Sequence, residues 1–424
     1  MLNSRSLCAR TTCPEESYFP SGRAHAGPVA GWPQATGANG GGQYSKLTQI
    51  DRSNVGRLKI AWTYDASDPL SASDKSAGGN DAASGGHASS GVEATPIIVS
   101  GKLVLCTPAH RVVALDPHVD FAAVPSRFCR GVASWSEPQP VDGKACQRRI
   151  LAASGDGRLL ALNVDDGKPC EDFGVHGTID LREHMGQVKP GELYYTAPPL
   201  IVKDLAVIGG AVHDGYRVDE PGGVVRAFDV RSERLVWAFD PVGPGMNAVT
   251  AAAAQGGAIF TRGTPNVWSF MSEDVGHGLI YLPMGNAQAD FYKGPERAID
   301  YYGSAVVALK IDTGEVAWFF RTVHHDLWDY DLAAQPVLYE HRGKIPALAV
   351  ATKSGNIFLL DRLTGDPLFP IEERRVPATD VPGDWTAPTT ACSSGPIPPC
   401  PSSSNSCRAT SPIAAQTSRC PTAS

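Results

Sequence analysis

No stretch of this chain approaches the ~18 consecutive apolar residues that a membrane-spanning helix needs. The nearest, Ala248 to Phe260, is interrupted by Thr250, Gln255 and two glycines. The N-terminus, Met1 to Arg10, lacks the continuous apolar core of a secretory signal, so export is not legible there. Charge is scarce: 19% of residues are Asp, Glu, Lys or Arg, the net charge is −7, and no basic run exceeds Arg148-Arg149 or Arg374-Arg375. A nucleic-acid-binding face needs clustered positive charge, so no nucleic-acid partner is expected. The ten cysteines include no C-x-x-C pair and no zinc-finger spacing to histidine, which argues against a thiolate metal centre. Cys106, Cys129, Cys146 and Cys170 are compatible with buried thiols or with one or two disulfides in an oxidising compartment, and spacing leaves both open.

What the chain has in excess is turn-forming residues. The 44 glycines and 34 prolines in 424 residues come to about 18 per cent, against a usual ~12 per cent. That balance suits many short strands joined by tight turns. An apolar element ending in a polar residue recurs at Val112-Val-Ala-Leu-Asp116, Leu159-Leu-Ala-Leu-Asn163, Val225-Arg-Ala-Phe-Asp229, Val306-Val-Ala-Leu-Lys310 and Ile357-Phe-Leu-Leu-Asp361. Periods near 40 to 50 residues, stretched by inserted loops, are those of β-propeller blades built from four antiparallel strands. Asp312-Thr-Gly314 and Leu363-Thr-Gly365 supply a polar residue and then a glycine that tolerates positive φ, as bulged hairpin turns require, and a strand is expected after each. Trp62, Trp237 and Trp318 fall late in strand-like runs, where a large ring can wedge between adjacent blades.

Residues 66–91, rich in Ser, Ala, Gly and Asp, read as an exposed loop. From about Thr386 the strand pattern stops and Pro, Ser, Thr and Cys dominate; residues 389–424 are expected to be a disordered, low-complexity tail. Against this background Arg321-Thr-Val-His-His-Asp-Leu-Trp-Asp-Tyr-Asp331 stands out. Two histidines, three carboxylates and a tryptophan within eleven residues, directly after a strand-like run, point to a site.

Eight motifs in order give the chain a family resemblance: Gln43 to Asp51, Glu93-Ala-Thr-Pro96, Cys129-Arg-Gly-Val132, Tyr194 to Pro199, Thr264-Pro-Asn-Val-Trp268, Leu282-Pro-Met-Gly-Asn286, Val323 to Asp329 and Lys353 to Phe358. Over residues 31–388 the chain resembles the membrane-bound quinoprotein glucose/quinate/shikimate dehydrogenases, which use pyrroloquinoline quinone (PQQ). The resemblance implies an all-β fold, an eight-bladed β-propeller of quinoprotein type, here incomplete with five to six blades, preceded by an atypical segment at 1–30. It also implies oxidation of a sugar or cyclitol hydroxyl, ubiquinone as electron acceptor, a Ca²⁺ or Mg²⁺ ion, and a place at the periplasmic face of the inner membrane. Membrane association would come through parts absent from this chain.

Carried over residue by residue, Trp268 matches the family's stacking tryptophan, with Asn266 and Thr196 also expected at the cofactor. Asp326 matches the proposed general base. Lys353 matches the lysine facing the quinone oxygens, where a fixed ammonium stabilises developing negative charge. His325, with His324 beside it, is expected to orient Asp326 or line the pocket. Asp214 matches an acidic residue suspected of holding the ion through hard oxygen ligands. The chain departs from the pattern in three places: Gly215 replaces an asparagine beside Asp214, Ala109 replaces a pocket histidine with His110 displaced by one residue, and Gln43 replaces an arginine. Cys106 is followed by Thr107, whereas PQQ alcohol and methanol dehydrogenases carry adjacent cysteines near this point, which favours the sugar/cyclitol branch over the alcohol branch. The departures keep a non-catalytic propeller scaffold, or an inactive fragment of such an enzyme, in view as the competing expectation.

Overall fold

Every repeat copy found in the sequence becomes the third strand of an antiparallel sheet. The computed structural model describes residues 32, 34–36, 48–60, 94–100, 102–107, 111–115, 120–123, 129–212, 218–294 and 298–393. The first sheet is β1 (Ile97–Val99), β2 (Lys102–Cys106), β3 (Arg111–Leu115) and β4 (Asp120–Ala123); the second is β5 (Ala133–Ser136), β6 (Arg148–Ala153), β7 (Arg158–Asn163) and β8 (Thr178–Asp180). After β9 (Leu193–Tyr194) come β10 (Leu200–Val202) and β11 (Leu205–Ile208). Next, β12 (Ala211–Val212) pairs back with β9, and β13 (Val225–Asp229) and β14 (Leu235–Phe239) complete the third sheet with β10 and β11. A one-turn helix, α1 (Ala251–Gln255), capped by the Thr250 hydroxyl, precedes the fourth sheet. That sheet is β15 (Ser272–Asp274), β16 (Leu279–Pro283), β17 (Ala305–Lys310) and β18 (Val316–Arg321). The fifth has three strands, β19 (Val337–His341), β20 (Ile345–Ala351) and β21 (Ile357–Asp361), and a hairpin of β22 (Ile371–Arg375) with β23 (Thr389–Ser393) follows.

The core lies between successive sheets. Because side chains alternate along a strand, a strand covered on both faces reads as an unbroken apolar run. In β17, Ala305, Val307 and Leu309 pack toward the third sheet with Val225 and Ile280, while Val306 and Ala308 pack toward the fifth with Leu348 and Phe358. In β6, Ile150 faces the first sheet and Leu151 the third. This two-sided burial explains why the sequence signal is a Val/Ala/Leu block rather than an apolar–polar alternation.

Two tryptophans lock neighbouring sheets. Trp237 of β14 donates from Nε1 to the Ile311 carbonyl (2.8 Å), and Trp318 of β18 donates to the Arg362 carbonyl (3.0 Å). Each ring lies over the turn glycine of the following sheet. A Cβ on Gly314 would meet Trp237 at 2.5 Å, one on Gly365 would meet Trp318 at 2.5 Å, and both glycines have positive φ. Two expectations need correction. After Leu363-Thr-Gly365 the strand does not start at once: a bridge between Leu360 and Pro367 comes first, and the next strand, β22, begins only at Ile371 and pairs with β23 rather than with β21. The supposed tail contributes β23, whose Thr389–Ser393 pairs along the whole length of β22. Trp62, the loop at 66–91, the segment 1–30 and residues 394–424 lie outside the described residues.

The four middle cysteines form the disulfides Cys106–Cys129 and Cys146–Cys170, and Cys392 is also disulfide-bonded. Among the described residues no helix is long and apolar enough to cross a membrane.

Candidate functional site

Antiparallel pairing brings the chemically marked loops to one end of the sheets. Pro283 pairs with Val306 and Ala305 with Arg321, so the residues after β16, before β17 and after β18 emerge together. Ser272 opposite Tyr281 puts the segment preceding β15, which carries Trp268, at the same end. In the next sheet Ala351 pairs with Ile357, and Lys353 sits in the turn between them. Backbone hydrogen bonds join these loops: Gly285 N to the Asn266 carbonyl (2.7 Å), Ser304 N to Gly285 (3.0 Å), Thr322 N to Ser304 (3.0 Å) and Leu332 N to Met284 (3.2 Å).

At the centre is the Trp268 indole. Its Nε1 donates to Asp331 Oδ2 (2.9 Å). The Arg130 guanidinium lies 5.1 Å and the Lys353 ammonium 5.9 Å from the ring centroid. Thr196 holds the far side: its hydroxyl accepts from Arg130 and donates to the Trp268 carbonyl (3.1 Å). Lys353 Nζ donates to Asp329 Oδ2 (3.1 Å), to the Asp329 carbonyl (2.9 Å) and to Asp331 Oδ2 (3.2 Å). Burial works against this ammonium, but the charges of Asp331 and Asp329 outweigh it and raise its pKa. Burial, followed by the Asp331 charge, pushes Asp329 up to about 7.

Asp326 is buried at the start of the same loop. Oδ2 accepts from Ser304 Oγ (2.5 Å) and Tyr330 N (2.7 Å), and Oδ1 from Trp328 N (2.9 Å). Burial raises its pKa; the Ser304 hydroxyl and the Trp328 amide pull the other way, and the charge of Asp331 adds to the rise. Asn286 ties the Asp326 backbone to the rest: its Nδ2 donates to the Asp326 main-chain carbonyl (3.4 Å), its backbone N–H donates to Asp331 Oδ1 (2.5 Å), and its Oδ1 accepts from the buried Lys293 Nζ (2.9 Å).

Trp268, Lys353, Thr196, Asn266 and Asp326 therefore belong to one connected cluster. Asn266 is 5% exposed and its Oδ1 has no hydrogen-bond partner; a Cβ on Gly285 would come within 2.6 Å of it, so only glycine fits there. His325 is placed elsewhere. Its ring stacks on Trp385 (3.9 Å between centroids), Nε2 lies 3.8 Å from Asp384 Oδ1 without a hydrogen bond, and burial lowers its pKa. His324 turns outward to Glu373 on β22, with Nε2 3.0 Å from each carboxylate oxygen. Asp214, Gly215, Ala109, His110 and Gln43 lie outside the described residues.

Residue-by-residue sequence reading passed over Arg130, Ser304, Asn286, Lys293 and Asp331. Arg130, Asn286 and Asp331 sit inside segments already marked as unusual, which is a usable signal. Ser304 and Lys293 carried none. Among the described residues the one group with metal-ligand spacing is Cys146, Cys170 and Asp172, and its sulfurs are already joined in a disulfide.

PQQ is a planar ortho-quinone bearing carboxylates, so its holder needs an aromatic floor and cations at the rim. A partly exposed indole flanked by Arg130 and Lys353, beside an unpartnered buried amide oxygen, fits those demands. The family model described as "PQQ: Glucose/ethanol/alcohol dehydrogenase, beta-propeller domain" matches residues 32–420, and the chain belongs to that family. It is 37% identical over 381 residues to the quinoprotein glucose dehydrogenase of Escherichia coli, covering 84% of this chain and 46% of the relative. It is 35% identical over 380 residues to the quinate/shikimate dehydrogenase (quinone) of Acinetobacter baylyi, covering 82% and 45%. The crystal structure of quinohemoprotein alcohol dehydrogenase from Comamonas testosteroni superimposes with a TM-score of 0.61 at 22% identity, over 88% of this chain and 53% of that one, which establishes the β-propeller fold. The chain thus spans about half the length of the curated relatives it matches.

Proposed function

We propose that this chain carries the cofactor-binding and proton-abstracting half of a PQQ-dependent dehydrogenase that oxidises a hydroxyl of a sugar or cyclitol and passes the electrons to a membrane quinone such as ubiquinone. The observation that carries the reading is the Trp268 indole, flanked by two cations and joined through Asp331 and Asn286 to the buried Asp326. PQQ, when bound, supplies the two-electron acceptor that no side chain offers. Trp268 would form its floor and Arg130 would pair with a carboxylate. Lys353 would offer positive charge to the quinone oxygens, and Asn266 Oδ1 would find a donor. Asp326, held by Ser304 and two backbone amides, would accept the substrate hydroxyl proton through its remaining Oδ1 lone pair. A Ca²⁺ or Mg²⁺ ion is expected from the family resemblance, with Asp214 as its assigned ligand.

The substrate class follows the glucose- and quinate-oxidising relatives. It is also supported by Cys106 pairing with Cys129 rather than with an adjacent cysteine, the feature that marks the alcohol branch. The two disulfides favour an oxidising compartment, consistent with a periplasmic site.

Titrating PQQ into the chain with Ca²⁺ while following tryptophan fluorescence should give saturable quenching that the Trp268→Phe variant weakens. Dye-linked oxidation of glucose or quinate should follow reconstitution. No quenching, with a full-length relative quenching alongside, would reject the enzyme in favour of a non-catalytic propeller.

A further inference from the structure

We propose that Asp331 is the positioning residue that sets the stacking indole and the quinone-facing ammonium in one fixed relation; this rests on the functional reading above. Its carboxylate accepts from three donors on three separate loops: Oδ2 from Trp268 Nε1 (2.9 Å) and Lys353 Nζ (3.2 Å), Oδ1 from Asn286 N (2.5 Å). Trp268 precedes β15 and Asn286 follows the paired β16, and a backbone hydrogen bond from Gly285 N to the Asn266 carbonyl joins those two loops, but Lys353 lies between β20 and β21 of the next sheet, and none of the backbone hydrogen bonds named above reaches its turn. The half-buried Asp331 carboxylate, at 13% side-chain exposure, makes that link.

The neighbours of Asp331 are shaped around it. Gly285 leaves the space it needs, since a Cβ there would stand 3.1 Å from Oδ1. Asp329, the other acid on Lys353, does not accept the Trp268 indole N–H, which goes to Asp331. An asparagine at 331 is nearly isosteric but offers one acceptor oxygen and a donating amide, so it cannot satisfy all three donors. It also removes the charge that makes these hydrogen bonds strong. The consequence is specific: indole plane and ammonium should move apart when the carboxylate is removed, although neither side chain is itself altered.

The test uses the full chain with Asp331→Asn, Asp331→Leu and, as a control, Asp329→Asn. In cofactor-free protein the Trp268 indole N–H resonance is identified by its loss in Trp268→Phe. It should shift in both Asp331 variants and stay in place in Asp329→Asn. The dissociation constant for PQQ, read by fluorescence quenching, should rise about tenfold or more in both Asp331 variants, as expected for losing a charged hydrogen-bonding partner. The near-isosteric asparagine variant keeps the test open should the leucine variant not fold. An indole resonance that does not move in Asp331→Asn, or PQQ affinity within about twofold of the parent, overturns the proposal. If the resonance moves but the parent chain itself shows no quenching, the positioning stands and the reading as a PQQ enzyme fails; normal quenching with an unmoved resonance removes the positioning alone.

Discussion

Asp326 has ~4 acceptor sites on its two oxygens, and the Ser304 hydroxyl with the Trp328 and Tyr330 amides engage three of them. One Oδ1 lone pair is left, in surroundings that raise the pKa. A base works deprotonated, so turnover should be present above the raised pKa and lost as pH falls through it. The acid limb of the rate profile of reconstituted enzyme should therefore lie above the ordinary carboxylate range. Asp326→Asn should lower kcat by roughly 10²–10⁴-fold; retention of full activity would show that the proton goes elsewhere. Glu273 provides a second residue-scale test. This carboxyl lies in the middle of β15, beside a cavity of about 310 Å³ bounded also by Tyr339, Glu340 and Arg362, and burial pushes its pKa up to about 7. With the folded value above the unfolded one, the stability linked to this proton is complete below about 4.5 and is lost as pH rises through about 7. Glu273→Gln should flatten that dependence, gaining up to roughly 3 kcal/mol at pH 8 over the parent and little at pH 4, measured by urea unfolding at both pH values.

At the scale of elements, stability depends on how each tryptophan of a fourth strand meets the turn of the next sheet. Gly365→Ala would drive a methyl group into the Trp318 ring from a positive-φ turn, and should cost about 2–4 kcal/mol in chemical denaturation. A loss below 0.5 kcal/mol would mean that the ring can slide away. The glycine turns and the wedging tryptophans were each legible, because the Asp-Thr-Gly and Leu-Thr-Gly turns and the late tryptophans recur with the Val-Ala-Leu blocks; that each ring rests on the next sheet's turn glycine was not. The late start of β22 after Gly365 and the presence of β23 were not legible either. Whether Asp366 to Leu368 extends or stops, and whether Thr389–Ser393 joins a ladder, depends on a partner edge, and composition carries no information about that edge.

For the whole molecule, the disulfides matter most in the first two sheets. Cys106–Cys129 and Cys146–Cys170 close loops with sequence separations of 23 and 24 residues, each contributing about 3 kcal/mol if loop closure in the unfolded chain dominates. Reduction should lower the unfolding midpoint markedly, and serine substitution of each pair should divide that loss; a midpoint unchanged by reduction would contradict it. Part of the site was similarly beyond sequence. Trp268, Asp326 and Lys353 were identifiable from motifs, and the structure joins them. The reach of His325 was not, because facing the pocket or packing on Trp385 depends on residues about sixty positions away along the chain.

By itself the sequence determined the class of fold: two-sided apolar strands at blade spacing, with glycine turns and wedging tryptophans, are local patterns that the backbone must obey. It also marked the segments that carry chemistry. Only tertiary structure decided which cysteines pair, which edge accepts β23, and that Asp331 rather than a histidine ties the indole to the ammonium. Each of these depends on distances between loops far apart in the chain, set by how successive sheets bury both faces against one another.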